Sequence, residues 1–241
     1  MSKNIICGYN CVYETIKNNK VEVLYLNRTK KIKEIEKIAA QKKIKINYVD
    51  KNELDKITET KNHQGIAALG NFFNYISLEE MILTKEFIII LDEVQDVNNF
   101  GAILRSCDAF GVKNIIIPKN RSVSLNSTVA KISTGAFNYI NICSVTNIKQ
   151  TIKKLKENDY WIGALDMHGN IEISESNFYS NVAMIIGGEN KGITPNIKKD
   201  VDFIVNIPMY GHVNSLNVSN ATAILLYEFS KNKDERKKQQ K

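Results

Sequence analysis

Apolar runs of four or five residues recur along the chain beyond residue 85, separated by segments with helical spacing. Most of these runs are continuously apolar, as expected of strands covered on both faces. They span residues 87–91, 114–117, 139–142, 161–164, 182–186 and 203–207. Helical spacing is found at 101–110, 127–134, 148–158 and 194–200, and again at 221–229. This alternation predicts an α/β fold with a parallel sheet between layers of helices.

The first 70 residues carry a shorter pattern of their own. Residues 21–26 and 44–49 alternate apolar and polar positions like half-buried strands, and 63–69 predict a turn into a third strand. Helices are predicted near 32–39 and 53–60. We therefore expect a small α/β domain at 1–70, a polar linker at 71–84 and a larger domain at 85–241. The small domain could bind substrate or serve as a structural cap on the larger one.

The composition favours a polyanionic partner. The chain of 241 residues has a net charge of +7, and its pI is about 9.0. Nearly all of the positive charge is lysine, which makes the few arginines notable; they are Arg28, Arg105, Arg121 and Arg236. No Gly-x-Gly-x-x-Gly or Walker-type loop is present, so a conventional dinucleotide or nucleoside triphosphate site is not expected.

The cysteines and histidines do not predict a metal site. The four cysteines and three histidines lack the paired spacing of zinc ligands or of a disulfide framework, so buried thiols are expected. No apolar run approaches the roughly 20 residues of a membrane span, and the N-terminus lacks the apolar core of a signal peptide. These features predict a cytoplasmic protein without a metal or a membrane partner.

Three of the predicted elements meet at polar, glycine-containing loops. Residues 207–219 (Ile-Pro-Met-Tyr-Gly-His-Val-Asn-Ser-Leu-Asn-Val-Ser) follow the last strand, and 185–193 (Ile-Ile-Gly-Gly-Glu-Asn-Lys-Gly-Ile) form a glycine turn with one carboxylate. Residues 96–111 (Asp-Val-Asn-Asn-Phe-Gly-Ala-Ile-Leu-Arg-Ser-Cys-Asp-Ala-Phe-Gly) lead into a helix. Such loops often build ligand sites, because the helix that follows offers unpaired N–H groups. The structural alternatives are a plain tight turn at Gly187 and Gly188, and an N-cap at Ser215 or Asn217.

Taken in chain order, the three loops resemble the signature motifs of the SpoU/TrmH family of RNA ribose 2′-O-methyltransferases. The resemblance covers essentially the whole chain. It implies a SPOUT-type parallel-sheet domain with a C-terminal trefoil knot, and it makes residues 1–70 the RNA-binding domain. It also implies S-adenosylmethionine as the cofactor. Further blocks at 63–66, 91–94, 117–119 and 145–147 make the layout most similar to the RlmB-type subfamily, which methylates a guanosine ribose in 23S ribosomal RNA.

The resemblance also implies the site residues. Backbone groups of the loops would bind the adenine, and the cofactor-binding residues would be Gly187, Gly188, Ile207, Pro208, Met209 and Leu216. The catalytic group would comprise Asn99, Arg105, Glu189, Ser215 and Asn217. Glycine at 187 and 188 would let the backbone approach a ligand without an intervening Cβ.

Arg105 is the first residue of interest, because it completes the family motif Asn-x-x-x-x-x-Arg that begins at Asn99. The resemblance gives this arginine the part of general base, but a guanidinium holds its proton too firmly for that role. We interpret it as a fork that grips the phosphate or ribose beside the target hydroxyl, oriented by Glu189. Residues 96–98 depart from the more usual Pro-His before the asparagine. Arg121 could contact an RNA phosphate or lie in a solvated loop.

Two rival functions stay open. One is a sister methyltransferase that acts on transfer RNA or on an adenosine, and the separate first domain favours ribosomal RNA over it. The other is a catalytically idle RNA-binding assembly factor, against which the intact motif residues argue. The family resemblance and the apolar helix at 221–229 also predict a homodimer.

Overall fold

The computed structural model describes residues 4–176, 178, 181–188 and 192–239, with side chains described as far as Lys231. The chain divides into two compact units. The first unit comprises Met1–Asn74 and Leu125–Tyr139, and the second comprises Tyr75–Ser124 and Ile140–Lys241. The helices of the described residues are all too short or too polar to span a bilayer.

The first unit is a four-stranded sheet with helices. In chain order its elements are β1 (Asn4–Cys7), α1 (Tyr9–Lys17), β2 (Val21–Asn27), α2 (Lys33–Gln41), β3 (Lys45–Val49), α3 (Lys51–Thr58) and β4 (Ile66–Gly70). The strand order is β1-β4-β2-β3, with β4 antiparallel to β1 and β2, and β2 parallel to β3. The predicted strands and helices of this unit are confirmed, but β1 and α1 were not predicted from the sequence.

Residues 125–139 complete the first unit although they lie far from it in sequence. The helix Ser127–Ile132 packs against β1, and the Nζ of Lys131 donates to the carbonyl oxygen of Asn62 at 2.5 Å. Phe137 is buried, and its ring lies 5.7 Å from that of Phe73. The predicted domains at 1–70, 71–84 and 85–241 differ from the two compact units, because residues 125–139 pack with the first unit.

The second unit is built on a seven-stranded parallel sheet. Its elements are α4 (Leu78–Leu83), β5 (Ile88–Asp92), α5 (Val97–Ala109), β6 (Asn114–Pro118), β7 (Asn141–Val145), α7 (Ile148–Lys156), β8 (Trp161–Leu165), β9 (Ile171–Glu172), β10 (Val182–Gly187), α8 (Pro195–Lys198), β11 (Phe203–Asn206) and α9 (Val218–Gln239), with α6 being Ser127–Ile132 of the first unit. The strand order is β7-β6-β5-β10-β8-β11-β9, and every pairing among these strands is parallel.

The prediction of an α/β domain with a parallel sheet is confirmed. All six predicted strands are present, and the four apolar residues Ile88–Leu91 of β5 are fully buried, as expected for a strand covered on both faces. β10 lies between β5 and β8, so strands distant in sequence end side by side. Their carboxyl ends share one edge of the sheet, where ligand sites form in such folds.

The segment predicted as a linker contains the helix α4. The hydroxyl of Ser77 accepts from the backbone N–H of Glu80, and the Glu80 carboxylate accepts from the N–H of Ser77, which forms a capping box. Met81 and Ile82 are buried on the inner side of α4. The sequence interpretation missed this helix because it is short, although the Ser-x-x-Glu signal was present.

The C-terminal helix α9 is longer than predicted and packs against α5. Leu225, Leu226 and Phe229 are buried, and the ring of Phe229 stacks on Phe87 with 4.1 Å between centroids. Tyr227 is half exposed and meets the ring of Phe110 edge-on. The two helices that carry the first and third sequence motifs are therefore packed together within one unit.

Candidate active site

A cavity of about 670 Å³ opens at the carboxyl edge of the parallel sheet, within the second unit. It lies where β8, β10 and β11 end, and each strand contributes the loop that follows it. The lining residues are Leu165, Asp166, Met167, His168, Ile186, Gly187, Gly188, Gly192, Ile193, Pro195, Lys198, Lys199, Ile207, Met209, Asn214, Ser215, Leu216, Val218 and Ala221. Six of the residues predicted from the sequence are among them; they are Gly187, Gly188, Ile207, Met209, Ser215 and Leu216.

The glycine turn after β10 is closely packed. A Cβ on Gly187 would lie 2.1 Å from the carbonyl carbon of Gly192, and one on Gly188 would lie 2.6 Å from the carbonyl oxygen of Glu93. The N–H of Gly192 donates to the carbonyl of Gly188 at 3.1 Å, which closes the turn. Neighbouring backbone leaves no room for a side chain at Gly187 or Gly188, and both glycines also line the cavity. Glu189, predicted as a catalytic residue, lies outside the described residues, as do positions 190 and 191.

The loop between β11 and α9 contributes both apolar and polar groups to the cavity. Ile207 and Leu216 are half-buried, whereas Met209 and Ser215 are exposed. Asn217 instead caps α9, since its Oδ1 accepts from the N–H of Ser219 at 2.9 Å and from that residue's hydroxyl at 2.6 Å. The structural alternative considered for Asn217 is therefore observed. Pro208 and Asn217 are not among the residues that line the described cavity.

Asp166, at the end of β8, is a cavity residue that sequence reasoning missed. Its carboxylate forms an ion pair with Lys198 of α8 at 2.9 Å and accepts from the backbone N–H of His168 at 2.9 Å. Only 14% of the Asp166 side chain is exposed. Burial raises the pKa of this carboxyl, but Lys198 and the His168 N–H outweigh burial, so the pKa lies below its ordinary value.

A sequence signal for Asp166 did exist. The apolar strand at 161–165 is followed at once by Asp-Met-His-Gly, which is the same change from apolar strand to polar loop that marked the other motifs. Its partner Lys198 is 32 positions later and could not be assigned from the spacing. The ionised carboxylate gives the cavity a fixed negative charge beside the positive charge of Lys198.

Asn99 and Arg105 lie on α5, which begins at the same edge of the sheet. Asp96 caps this helix, because its Oδ1 accepts from the N–H groups of Asn98 and Asn99 at 2.7 and 2.9 Å. Asn99 is half-buried and Arg105 is exposed. Neither lines the described cavity, and their assignment to the catalytic group stays a prediction. An exposed arginine on this helix is suited to contact a large substrate from solvent.

Two contacts join the β5–α5 region to the cavity loops. The buried carboxylate of Asp92, at the end of β5, accepts from the N–H of Thr194 at 2.8 Å, beyond the glycine turn. Gly188 packs on the backbone of Glu93, as described above. The motif that carries Asn99 and the motif that carries the glycines are therefore fixed against each other.

Arg121 forms an ion pair with Glu93, at 2.8 Å between Nη1 and Oε1. Both residues have left-handed backbone conformations, with φ of 56° and 60°. The loop that carries Arg121 is also tied down by the N–H of Val123, which donates to the carbonyl of Val94 at 3.0 Å. The Arg121 side chain is 75% exposed, so it remains accessible to a ligand while Glu93 holds one side of its guanidinium.

The thiols and the histidines do not form a metal site in the described part of the chain, where no group of three or more candidate metal ligands comes together. The four cysteines are all buried free thiols. Burial raises the pKa of the Cys143 thiol to about 11, so it stays protonated at neutral pH.

Comparison with known proteins identifies the family of this chain. The model of the SpoU rRNA Methylase family matches residues 86–227, and that of the RNA 2′-O ribose methyltransferase substrate-binding domain matches residues 5–76. The chain is 37% identical over 238 residues to a protein of Staphylococcus saprophyticus named "Putative TrmH family tRNA/rRNA methyltransferase", which covers 95% of each sequence.

Two solved structures share the fold. The SpoU methyltransferase AviRb from Streptomyces viridochromogenes, in complex with the cofactor AdoMet, superposes with a TM-score of 0.83 at 19% identity, covering 97% of this chain and 91% of that one. The AdoMet-bound rRNA methyltransferase from Sinorhizobium meliloti gives a TM-score of 0.81 at 22% identity, covering 95% and 87%. Two of the three motif loops line one cavity, both family models match, and the alignment to a curated relative spans nearly the whole chain; the chain therefore belongs to the SpoU/TrmH family of RNA methyltransferases.

Proposed function

We propose that this protein transfers a methyl group from S-adenosylmethionine to the ribose 2′-hydroxyl of a guanosine in 23S ribosomal RNA. The observation that carries the proposal is the cavity at the carboxyl edge of the sheet. It brings together the glycine turn and the Ser215–Leu216 loop, which are two of the three motifs implied by the family resemblance. The remaining motif, on α5, follows Asp92 and Glu93, which contact Thr194 and Gly188 on the two sides of the glycine turn.

The residues present fit the cofactor. A cavity of about 670 Å³ lies within the usual range for ligand sites. Ile186, Ile207 and Leu216 would form apolar walls for an adenine ring, and backbone groups of the turn at Gly187 and Gly188 would hydrogen-bond its edge. When bound, S-adenosylmethionine supplies a methyl group made electrophilic by the positively charged sulfur.

Asp166 is the polar anchor of this arrangement. Because its pKa is lowered, the carboxylate is ionised at neutral pH and would accept hydrogen bonds from hydroxyl or ammonium groups of the cofactor. Lys198 holds the carboxylate in place across the cavity wall, with 2.9 Å between the charged atoms. The pair lowers the free-energy cost of keeping either charge partly buried.

Arg105 positions the RNA in this proposal. A guanidinium group is a poor proton acceptor, so Arg105 acts as a fork on the phosphate or ribose next to the target hydroxyl and not as a base. Asn99, Ser215 and Glu189 complete the set of positioning groups by analogy with the family motifs. Alignment of the hydroxyl with the methyl group makes the largest contribution to catalysis, since correct orientation lowers the activation free energy of a reaction by ~7–11 kcal/mol. Arg121, presented by Glu93, contacts a neighbouring phosphate.

The choice of ribosomal RNA and of the RlmB-type activity rests on the layout of the whole chain. The domain at residues 5–76 matches a substrate-binding model, and a separate domain of this kind favours a large RNA target. A sister activity on transfer RNA or on an adenosine is the alternative, and the Staphylococcus relative carries both RNA classes in its name. The proposal further includes a trefoil knot in the C-terminal segment, a cytoplasmic location and a homodimer.

The deciding experiment maps ribose methylation. Total RNA from cells with and without the gene is analysed for 2′-O-methylation, and the lost position is then restored in vitro with purified protein and S-adenosylmethionine. We expect one guanosine of 23S RNA to depend on the protein. A lost position in transfer RNA would support the sister activity. Failure to bind S-adenosylmethionine in calorimetry, with all ribose positions unchanged, would contradict the enzyme and favour an assembly factor.

A further inference from the structure

The entire net charge of the protein belongs to the first unit. That unit, Met1–Asn74 with Leu125–Tyr139, contains 15 of the 33 lysines and arginines but only 8 of the 26 aspartates and glutamates, a net charge of +7. The second unit has 18 residues of each sign and is therefore neutral. The unit with the cofactor cavity consequently contributes little long-range attraction for RNA, whose binding is dominated by phosphate neutralisation.

Within the first unit, one group of positive side chains lies at the end of the sheet where β2 ends and β4 begins. The loop from β2 to α2 carries Arg28, Lys30, Lys31 and Lys33, all exposed, and no carboxylate occurs in that loop before Glu34. We call Arg28–Lys33, together with Lys61 and Lys131, the basic loop surface. Lys131 joins it from α6, because its ammonium group reaches the turn that follows Lys61.

Hydrogen bonds fix Arg28 and Lys30 of the basic loop surface. The Nε of Arg28 donates to the carbonyl of Tyr48 at 2.9 Å, and its backbone N–H donates to Val49 at 2.9 Å. The ammonium group of Lys30 donates to the carbonyl of Gln64 at 2.9 Å, and its stem covers Gly65. An Arg28 fixed through Nε still presents its two terminal NH₂ groups, which is the geometry that binds phosphate in a bidentate manner. Fixing these residues before binding also reduces the entropic cost of association.

The turn behind this surface is also rigid. His63 is buried, its Nε2 lies 2.8 Å from the carboxylate of Asp55, and its Nδ1 accepts from the N–H of Gly65 at 2.9 Å. Gln64 then caps α1, since its Oε1 accepts from the backbone N–H of Tyr9 at 2.6 Å. The basic loop surface is therefore held by β2, β3 and the turn that precedes β4, and not by a single loop.

The opposite end of the same sheet is basic as well, but three of its lysines are paired or partly buried within the protein. The ammonium group of Lys17 pairs with Glu14 at 3.1 Å, and that of Lys42 donates to the carbonyl of Lys17 at 3.1 Å. Lys20 is half-buried, and burial lowers its pKa. This end offers fewer fixed donors to an external phosphate, and it provides a matched control.

We infer that the basic loop surface binds the phosphate backbone of the RNA substrate and supplies most of the electrostatic affinity. The neutral second unit then contributes cofactor binding and recognition of the target ribose. This inference rests on the proposed function for the identity of the ligand as RNA. It predicts that affinity and chemistry are separable, with affinity strongly dependent on salt.

The test compares two triple variants of the full-length protein. One carries Arg28→Gln, Lys31→Gln and Lys33→Gln, and the control carries Lys17→Gln, Lys43→Gln and Lys45→Gln, which removes the same charge from exposed positions at the other end. Binding of a fluorescein-labelled RNA hairpin is measured by anisotropy over a range of salt. For the first variant the slope of log affinity against log salt should fall by about 2 to 3, with at least ~10-fold weaker binding at low salt. The control should retain most of its affinity and slope.

Every other pattern contradicts the assignment. An equal loss of RNA affinity in both variants would show a diffuse charge effect, and a greater loss in the control would place the binding site at the other end of the sheet. Unchanged affinity in both variants would show that these charges do not contribute to RNA binding. Competition by polyglutamate as strong as that by unlabelled RNA would indicate an acidic protein partner instead. Thermal unfolding of both variants checks that the fold is retained.

A second measurement uses the unaltered protein. Acetic anhydride labels its lysines with and without the RNA hairpin, and mass spectrometry compares Lys31 and Lys33 with Lys43 and Lys45. RNA should protect the first pair selectively; equal or reversed protection would overturn the inference. Methyl transfer by the same preparation is scored separately. Its absence, with loop-dependent RNA binding intact, would contradict the proposed function and leave the binding surface standing.

Discussion

Replacing Gly187 by alanine tests whether the glycine turn shapes the cavity that we propose for the cofactor. The new Cβ would lie 2.1 Å from the carbonyl carbon of Gly192 and 2.4 Å from the backbone nitrogen of Ile193, whereas real Cβ atoms almost never approach closer than 3.0 Å. The obstacle is backbone and cannot rotate away like a side chain. The turn must therefore open by about 1 Å, and both flanks of the turn line the cavity.

The magnitude follows from this overlap. Overpacking of this kind costs ~1–3 kcal/mol. If the cost falls on the cofactor-bound arrangement, the affinity for S-adenosylmethionine falls about 5- to 150-fold, because each 1.4 kcal/mol changes a dissociation constant tenfold. Isothermal titration calorimetry measures the dissociation constant, and thermal unfolding measures any part of the cost that falls on the folded state.

Gly211→Ala is the matched control. Gly211 lies in the neighbouring loop between β11 and α9, nothing approaches within 4 Å of its added Cβ, and it does not have a positive φ. Its affinity for the cofactor should stay within about twofold of the unaltered protein, as for most exposed substitutions. Unchanged affinity and unchanged unfolding temperature in Gly187→Ala would refute the reasoning, because the turn would then tolerate the extra atom without cost.

Three further changes test the site and the units. Asp166→Asn should weaken cofactor binding at least ~10-fold, as expected when a charged hydrogen bond is lost. The pKa of Asp166 is lowered because Lys198 and the His168 N–H outweigh burial, so the ionised carboxylate stabilises the folded protein above the ordinary carboxyl pKa of about 3.9. This stabilisation is lost as the pH falls through the lower pKa of the folded state. Acid unfolding curves of the variant and the parent should therefore differ above this pH range and converge below it. Arg105→Lys should lower single-turnover methylation at least ~100-fold at every pH with cofactor affinity retained, and recovery at high pH would instead identify the residue as the base. Deleting residues 1–74 should expose Phe137 and the rest of 125–139, so the remainder should aggregate or bind a hydrophobic dye, whereas a clean, soluble remainder would contradict the division into units.

The hydrophobic pattern by itself determined the main sheet and the location of the motifs. The β5 segment is apolar at four consecutive positions and buried at all of them, so its burial on both faces could be predicted from composition alone. Strand β10 and the glycine turn after it were equally clear, because a strand ending in paired glycines is a local signal. Local signals also gave the helices α5 and α7 to within a few residues at each end.

Only the tertiary structure decided which of these pieces work together. The pairing of Asp166 with Lys198 and the insertion of β10 between β5 and β8 join positions that are distant in sequence. The packing of 125–139 with the first unit does the same, and it places the whole net charge on one unit. A sequence pattern reports the preference of each segment for burial and local conformation. The choice of partner depends on the free energy of contacts between segments, which periodicity does not encode.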